Sequence, residues 1–369
     1  MSYRMKVLVT GAGGFIGHHL VSYLQDLGYW VRGVDLQYPA FGLTTADEFW
    51  RLDLRQRENC LEATHGIDHV YALAADMGGM GYISSHHAGI LFNNTLINLQ
   101  TLEAARANGV SRYLFTSSAC VYPEYRQMEP GVTPLKEEDA YPAQPQDAYG
   151  WEKLSTEKLC LYYAAEYGIE THIVRFHNIF GPLGTWDGGR EKAPAALCRK
   201  VAIAKLTGKP EVEIWGDGEQ TRSFCYIDDC VVGLYKVMQS NYPLPLNLGQ
   251  DRLVTINQLA DMIAETAGTR IVKRPVPGPQ GVRGRNSDNT RLRQVLGWEP
   301  QISLEAGLAR PTPGLRRRCE PGCSMSRRQA RSHIAPGCKP VGAGYDGVPR
   351  QYPRHWYQRY QYGYGPADY

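Results

Sequence analysis

Apolar residues along the first 180 positions follow two alternating patterns. Short apolar runs that are rich in branched and aromatic residues, such as 6–10, 69–76 and 112–122, are typical of buried strands. Between them, apolar residues recur at helical spacing over 93–109 and 149–168, and a glycine at the end of each segment favours a helix terminus. Strands that alternate with helices predict a parallel sheet covered on both faces. The expected fold class is therefore α/β with a doubly wound parallel sheet.

The pattern changes after about residue 180. Residues 181–309 combine loops, short strands and helices, which predicts a smaller C-terminal substrate-binding lobe interleaved with the last strands of the sheet. We therefore expect a nucleotide-binding domain over residues 1–180, to which later strands return, and a lobe formed mainly by residues 181–309.

The last segment, residues 310–369, differs from the rest of the chain. It has no apolar period, it is crowded with Pro, Gly, Arg and Tyr, and it carries ten Arg and one Lys against three acids. Such a composition cannot bury enough apolar surface to offset the entropy of ordering. A helical pattern that begins at 304–309 stops at Arg310 and Pro311, so we interpret the segment as a disordered or frameshifted tail. The alternatives are a basic nucleic-acid arm and a zinc site, whose candidate ligands would be Cys319, Cys323, His333 and Cys338.

The overall composition is that of an ordinary globular protein. Of the 369 residues 43% are hydrophobic and 21% are charged, and the formal net charge of +3 indicates no class of partner. No apolar run approaches the roughly 20 residues that span a bilayer, and the strand-like run at 6–10 leaves no room for a signal peptide. We therefore expect a cytoplasmic protein with reduced cysteines and with neither a membrane nor a nucleic acid as partner.

The stretch TGAGGFIG, residues 10–17, lies directly after a predicted strand and directly before a predicted helix. In that context Gly11, Gly14 and Gly17 let the turn close, let the backbone approach a pyrophosphate and let the helix pack on the sheet. Phe15 and Ile16 begin the helix, whose N-terminus faces the phosphates. The stretch therefore predicts dinucleotide binding by a Rossmann-type domain.

Asp35, at the end of the second strand, is placed to accept hydrogen bonds from a ribose diol. Its carboxylate would repel a 2′-phosphate, so the expected cofactor is NAD rather than NADP. Arg32 lies nearby but faces away by strand alternation, which leaves phosphate binding as the alternative. Asp53 is a candidate contact to the adenine edge, or else a solvated loop carboxylate.

Tyr149 and Lys153 lie four residues apart in a predicted helix. Residues i and i+4 share one helix face, so we expect the ammonium to lie beside the phenol. A cation at that distance favours the phenolate and can bring a group with an ordinary pKa of about 10 towards neutrality. With Ser118 at the end of an intervening strand, these residues form a candidate catalytic set.

The GxxGxxG turn, the YxxxK pair and the serine together resemble the extended short-chain dehydrogenase/reductase family, in its nucleotide-sugar branch. Long loop sequences are informative here because packing alone dictates little of them. Between residues 5 and 309, several stretches are similar to the GDP-mannose 3,5-epimerases within that branch: LAADMGGMGYI, SSACVYPE, PQDAYGWEK, RFHNIFGPLGTWDGGREKAPAA, WGDGEQTRSF and GPQGVRGRNSDN.

The resemblance implies an NAD-dependent isomerase that converts GDP-mannose to GDP-L-galactose and GDP-L-gulose. Oxidation of C4 to a transient ketone would acidify the hydrogens on C3 and C5, which are not acidic in the alcohol. Tyr149 would take the proton of the C4 hydroxyl while Ser118 holds the oxygen. The resemblance also implies a homodimer, in which the helix over 93–109 and the helix that starts at Tyr149 pair with their copies.

Epimerisation requires deprotonation on one face of the sugar and reprotonation on the other. The resemblance assigns these two roles to Cys120 and Lys192. A thiol, whose ordinary pKa is about 8.5, can give and take a proton near neutrality, whereas a serine cannot. We expect the pKa of Lys192 to be lowered by burial or by cationic neighbours such as Arg190.

Substrate binding is expected to involve both the glycine-rich loops and the lobe. Gly78 would let the backbone approach the sugar, and Lys200, Arg222 and Arg285 are cations suited to a diphosphate. His177 is expected to be structural, and no metal site is expected among the residues of this set. The complete set of expected substrate contacts is Gly78, Ser118, Ala119, Cys120, Asn178, Glu191, Lys192, Ala193, Lys200, Gln220, Thr221, Arg222 and Arg285.

Two alternatives stay open from the sequence. One is another NAD-dependent nucleotide-sugar 4-epimerase or 4,6-dehydratase, although such a dehydratase would show an Asp-Glu pair where this chain has Ala119 and Cys120. The other is a non-catalytic nucleotide-binding member of the fold with an RNA-binding tail, which the presence of Tyr149 and Lys153 disfavours.

Overall fold

The structure is a computed structural model, and it describes residues 4–40 and 42–310. The predictions for residues 311–369, which concern a disordered or frameshifted tail, a nucleic-acid arm and a zinc site, lie outside the described residues.

The strands of the described residues are mostly short. In chain order they are β1 (Lys6–Thr10), β2 (Trp30–Asp35), β3 (Glu48–Arg51), β4 (His69–Ala72), β5 (Arg112–Ser118), β6 (Glu170–Phe176), β7 (Ile179–Phe180), β8 (Glu211–Trp215), β9 (Thr221–Arg222), β10 (Cys225–Tyr226), β11 (Leu246–Leu248), β12 (Val254–Thr255), β13 (Val272–Val276) and β14 (Gly284–Arg285).

The α-helices separate these strands along most of the chain. They are α1 (Phe15–Asp26), α2 (Arg57–Thr64), α3 (Met80–Ile83), α4 (His87–Ala107), α5 (Ala148–Tyr167), α6 (Ala193–Thr207), α7 (Ile227–Gln239), α8 (Ile256–Thr266), α9 (Thr290–Leu296) and α10 (Leu304–Ala309). Across residues 4–40 and 42–310, none of the helices combines the length and the apolar character that a membrane span needs.

Seven of the described strands form one parallel sheet, in the order β11-β6-β5-β4-β1-β2-β3. The chain starts in the middle of the sheet at β1, runs outward to β3 and then returns to β4 on the other side of β1. The switch point between β1 and β4 is the place where open α/β sheets bind ligands, at the carboxyl ends of the strands. The predicted doubly wound α/β fold is therefore confirmed.

Alternate residues of β1 reach the two layers of helices that cover the sheet. Val7 and Val9 pack with Leu20 of α1 in one core cluster, whereas Leu8 packs with Leu102 of α4 in the other. Successive side chains of a strand point to opposite faces, so a strand buried on both faces needs an unbroken apolar run. The apolar runs from which the strands were predicted therefore reflect burial on both faces of the sheet.

Residues after 180 divide between a small lobe and the main sheet. In the lobe, β13 pairs with β8, and β9 lies between β12 and β14. β11 instead joins the edge of the main sheet beside β6. The division into a domain over residues 1–180 and a lobe over residues 181–309 stays a prediction.

Candidate active site

One cavity of about 400 Å³ lies where the carboxyl edge of the main sheet meets the lobe. Its walls include the glycine turn after β1, the segment after β5, the start of α5 and residues of the lobe such as Trp215 and Arg285. Most of the site residues predicted from distant parts of the sequence thus line a single space.

The glycine turn after β1 has no room for side chains. Gly11 has a left-handed backbone, with φ of +70°. A Cβ added at Gly17 would lie only 2.2 Å from the carbonyl oxygen of Gly11. Gly14 precedes α1, whose first residue is Phe15, and Gly11, Ile16 and Gly17 line the cavity. This turn fits the pyrophosphate of a dinucleotide, because the backbone itself forms the surface that a ligand would approach.

Asp35 ends β2 directly beside the glycine turn. Its carboxylate accepts hydrogen bonds from the main-chain N–H groups of Gly13 at 3.0 Å and Gln37 at 3.2 Å. Burial raises the pKa of Asp35, and these N–H groups oppose the increase. Arg32 faces away, as alternation predicted, because it pairs with Glu48 at 2.9 Å. The position of Asp35 suits a ribose diol and disfavours a 2′-phosphate, so the residues present fit NAD.

Asp53 lies outside the lining of the cavity. Its carboxylate is 2.7 Å from Nη2 of Arg55, and this pairing lowers the pKa of Asp53. Arg55 also donates to the side-chain oxygen of Asn93 at 3.0 Å. A contact from Asp53 to adenine stays a prediction, since these bonds already account for its position.

Tyr149 is brought to the cavity by a tight contact between α5 and the segment after β5. Asp147 caps α5 by accepting the N–H of Gly150 at 2.8 Å. A Cβ at Gly150 would lie 2.2 Å from the carbonyl oxygen of Cys120, so only glycine lets the two backbones meet. Tyr149 therefore lies beside Ser118 and Cys120, all three of them in the cavity wall.

The pKa of Tyr149 differs from the expectation. Burial raises it well above its ordinary value, the charge of Cys120 adds to the increase, and a hydrogen bond with Ser118 opposes it. The Nζ atom of Lys153 is 5.5 Å from the centroid of the tyrosine ring, and burial lowers the pKa of this lysine. The sequence predicted the pairing of the two residues but missed burial, which dominates the pKa of the phenol.

Cys120 lies in the 3₁₀ turn Ala119–Val121 that follows β5. Its main-chain N–H donates to Oγ of Ser118 at 3.2 Å. The guanidinium of Arg285 donates to the Cys120 sulfur, with 3.2 Å between Nη1 and Sγ. Arg285 thus has a contact with the thiol that the sequence did not predict, and its expected contact with a diphosphate stays a prediction.

Lys192 precedes the first residue of α6 and lines the same cavity as Cys120. Burial lowers the pKa of Lys192, while the charge of Cys120 raises it to a smaller extent. The expected influence of Arg190 is not found, because that guanidinium pairs with Asp76 at 3.2 Å and lies 3.9 Å from the ring centroid of Tyr82. Burial alone is thus the cause of the lowered pKa.

The other expected substrate residues are arranged as follows. Asn178 has a left-handed φ of +44°, and its side chain donates to the carbonyl of Ser223 at 3.0 Å. Glu191 accepts from the N–H of Gly189 at 2.7 Å and from Arg199 at 3.2 Å. The expected substrate residues that line the cavity are Gly78, Ser118, Ala119, Cys120, Asn178, Glu191, Lys192, Ala193, Lys200, Gln220, Arg222 and Arg285.

Thr221 does not line the cavity, because its hydroxyl donates to the carbonyl of Pro130 at 2.5 Å. His177 is buried, and its Nε2 lies 3.0 Å from Oδ1 of Asn247. Burial lowers the pKa of His177 to about 3, so the ring is neutral at physiological pH. This environment agrees with the structural role expected of it.

Gly79, Gln127 and Glu152 were missed by the sequence analysis. A Cβ at Gly79 would lie 2.2 Å from the carbonyl oxygen of Glu191, and Oε2 of Glu152 lies 4.0 Å from Nζ of Lys153. Gln127 accepts from Nε of Arg285 at 2.6 Å. The glycine-rich stretch around Gly79 was a usable signal, but nothing near Gln127 in the sequence indicates its partner.

The carboxyl edge of the doubly wound sheet thus combines a dinucleotide site, formed by the glycine turn and Asp35, with the set of Ser118, Tyr149 and Lys153. This combination defines an NAD-dependent enzyme of the short-chain dehydrogenase/reductase type. The chain belongs to the NAD dependent epimerase/dehydratase family, whose sequence profile matches residues 7–249. The family resemblance inferred from the sequence and the expectation of NAD as cofactor are confirmed.

Individual members of the family show which of its branches this chain is similar to. The chain is 50% identical over 311 residues to GDP-mannose 3,5-epimerase 1 of Oryza sativa subsp. japonica, with 83% of this chain and 80% of that protein covered. It is also 50% identical over 309 residues to GDP-mannose 3,5-epimerase of Arabidopsis thaliana, with 83% and 81% covered. Among solved structures, UDP-glucose 4-epimerase from Thermotoga maritima has a TM-score of 0.73 and 31% identity, with 83% of this chain and 96% of that one covered.

Proposed function

We propose that this chain epimerises GDP-mannose at C3 and C5, to GDP-L-galactose and GDP-L-gulose, through a transient 4-keto sugar. The observation that carries the proposal is the presence of two proton-transfer groups, Cys120 and Lys192, in the cavity that also holds Tyr149. The plant relatives named for this activity support it at 50% identity. A reaction confined to C4 would need only the hydroxyl chemistry of Tyr149 and Ser118.

The reaction begins and ends at C4. The glycine turn and Asp35 would hold NAD⁺, which would supply reversible hydride transfer at C4. Tyr149 takes the proton of the C4 hydroxyl and later gives it back, while Ser118 hydrogen-bonds the same oxygen. Lys153, beside the tyrosine ring, supplies positive charge that favours the phenolate during this step.

Proton exchange at C3 and C5 is the task of Cys120 and Lys192. One group takes the proton from carbon, the electron pair of the C–H bond moves onto the 4-keto oxygen, and the other group gives a proton to the opposite face. Burial lowers the pKa of Lys192, which increases the fraction of free amine near neutrality. The two groups come from separate elements, the turn after β5 and the start of α6, so they can serve different faces of one sugar.

The remaining residues of the cavity are assigned to binding. Lys200 and Arg222 provide positive charge for the diphosphate, and burial lowers the pKa of both. Gly78 and Asn178 are placed for the sugar, as the sequence predicted. Arg285 is already bonded to the Cys120 sulfur, so its principal role is considered separately below.

A homodimer is part of the proposal. α4 and α5 pack against each other and expose large apolar side chains, which the rest of residues 4–40 and 42–310 leaves uncovered. Phe92 is 64% exposed on α4, and Trp151 and Tyr162 are exposed on α5. A second copy that presents the same two helices would bury this surface as a four-helix bundle. A cytoplasmic location, without membrane or nucleic-acid partners, stays a prediction from the sequence.

The proposed activity is tested by NMR of GDP-mannose incubated with the protein and NAD⁺ in D₂O. We expect deuterium to enter at C3 and C5 and sugars of galactose and gulose configuration to form. Inversion at C4 without exchange at carbon would instead establish a 4-epimerase, and an unchanged spectrum would contradict any epimerase activity on this substrate.

A further inference from the structure

Gln127 is a fully buried side chain that connects the thiol-bearing segment to Arg285. It follows the 3₁₀ turn Glu124–Arg126 and is 0% exposed. Its Nε2 donates to the carbonyls of Tyr122 at 3.0 Å and Pro123 at 3.1 Å, which lie just after Cys120 in the chain. Its Oε1 accepts from Nε of Arg285 at 2.6 Å. Both ends of the amide are therefore used.

The same guanidinium reaches the sulfur through a second nitrogen. Nη1 of Arg285 is 3.2 Å from Sγ of Cys120, while Nε is held by Gln127. The main-chain carbonyl of Gln127 also accepts from the N–H groups of Arg283 at 2.9 Å and Gly284 at 3.2 Å, which joins β14 to this segment. Gln127 thus fixes the position of the guanidinium relative to the sulfur from both the side chain and the backbone.

The sulfur lies in a region of positive charge. Arg222 donates to the main-chain carbonyls of Thr221 at 2.7 Å and Val282 at 2.8 Å. Because these carbonyls carry no formal charge, they do not neutralise the guanidinium. Burial and, to a smaller extent, Arg285 lower the pKa of Arg222 to about 9, whereas Cys120 raises it. Lys192 is influenced by Cys120 in the same direction. Arg222 and Lys192 therefore add to the positive charge that Arg285 places beside the sulfur.

We propose that Gln127 is a positioning residue for proton transfer by Cys120, because it holds Arg285 where the guanidinium stabilises an ionised sulfur. When Cys120 acts as a base, the C–H bond breaks, an S–H bond forms and the electron pair moves onto the 4-keto oxygen. When Cys120 acts as an acid, the same changes occur in reverse. The role in catalysis rests on the proposed function, but the contact itself affects the thiol without any substrate.

The test compares Gln127→Met with Gln250→Met. Gln250 also donates from Nε2 to two main-chain carbonyls, those of Pro300 at 3.2 Å and Ile302 at 3.3 Å, but it lies outside the cavity wall. Alkylation of Cys120 by iodoacetamide at pH 7 is followed by mass spectrometry of the peptide that contains it. We expect Gln127→Met to slow alkylation about ten-fold, the effect of a weakened charge-assisted hydrogen bond, and Gln250→Met to leave the rate within about two-fold.

A second variant examines the contact from its other end. Arg285→Met should slow alkylation at least as much as Gln127→Met, and it answers the question even where Gln127→Met folds poorly. Equal alkylation rates in wild type and Arg285→Met, or in Gln127→Met and Gln250→Met, would overturn the proposal. With GDP-mannose as substrate, Gln127→Met should lower kcat more than it raises KM. If the two variants are alkylated more slowly than wild type but wild type shows no epimerase activity, the contact is supported and only the proposed function is contradicted.

Discussion

At the scale of single residues, burial rather than neighbouring charge is the main influence on the ionisation of three proposed catalytic groups. Tyr149, Lys153 and Lys192 each have burial as the first cause of a shifted pKa. Residue types and spacing in a sequence predict which groups pair, but the extent of burial depends on segments far away in the chain. The sequence therefore predicted the pairing of Tyr149 with Lys153, and it could not predict that the phenol would be harder to ionise.

Lys192 should destabilise the fold at neutral pH, because its folded pKa is lower than the ordinary value of about 10.4. Below the folded pKa, both states carry the proton and the full penalty for burying the charge applies. As pH rises from the folded pKa towards about 10, the folded state loses the proton first, so stability increases across this window. Lys192→Met should raise Tm by about 2–4 °C at pH 7, and the gain should shrink as pH approaches 10.

The measurement is differential scanning fluorimetry from pH 6 to pH 10. Lys209→Met is a matched control, since Lys209 is exposed after the end of α6 and a surface substitution changes stability little. A Lys192→Met protein with unchanged or lower Tm at pH 7 would contradict the expected cost of burying this ammonium.

At the scale of elements, the sequence predicts both ends of α5 closely and the start of α4 less well. α5 ends at Tyr167 before Gly168, whose φ of +74° is the left-handed conformation that glycine favours. α4, in contrast, begins at His87, before the predicted start at residue 93, and it has no side-chain cap. A glycine in the left-handed conformation marks the end of α5, whereas no side-chain cap marks the start of α4.

Contacts between elements distant in sequence were beyond sequence analysis. Arg285 meets Cys120 across 165 positions, and no local pattern encodes such a pairing. The close approach of Gly79 to Glu191 is another example, although the glycine-rich stretch gave a partial signal. Gly11 and Gly17, in contrast, could be predicted, because the strand, turn and helix that need them are contiguous in the sequence.

Gly79→Ala should displace the segment that carries Glu191 and Lys192, because the added Cβ would lie 2.2 Å from a main-chain oxygen that cannot rotate away. Even a 1 Å displacement of a catalytic group can reduce turnover about 100-fold. We expect a loss of kcat of roughly 10- to 100-fold for GDP-mannose in steady-state assays. Gly131→Ala is the control, because a Cβ there meets nothing within 4 Å. Equal kinetics for the two variants would show that the contact does not position Lys192.

At the scale of the whole molecule, the exposed apolar side chains of α4 and α5 predict the oligomeric state. Phe92→Glu should convert the proposed homodimer to a monomer at micromolar concentration, because a charge would be buried between two copies without a partner. Sedimentation velocity gives the molecular mass directly. Leu206→Glu serves as the control, since Leu206 is similarly exposed, at 60%, but lies on α6. A wild-type monomer, or a Phe92→Glu dimer, would contradict the proposed interface.

In the proposed reaction, one cavity carries out C4 chemistry and proton exchange at C3 and C5 with different residues, and Cys120 takes part only in the exchange. The most direct measurement uses Cys120→Ser with GDP-mannose and NAD⁺ in D₂O, followed by quenching with tritiated borohydride. The 4-keto sugar traps tritium at C4, while NMR reports deuterium at C3 and C5. We expect tritium trapping to persist while deuterium entry falls by about 10²- to 10⁴-fold, the usual contribution of a general acid or base. Deuterium entry at the wild-type rate would contradict the role of Cys120.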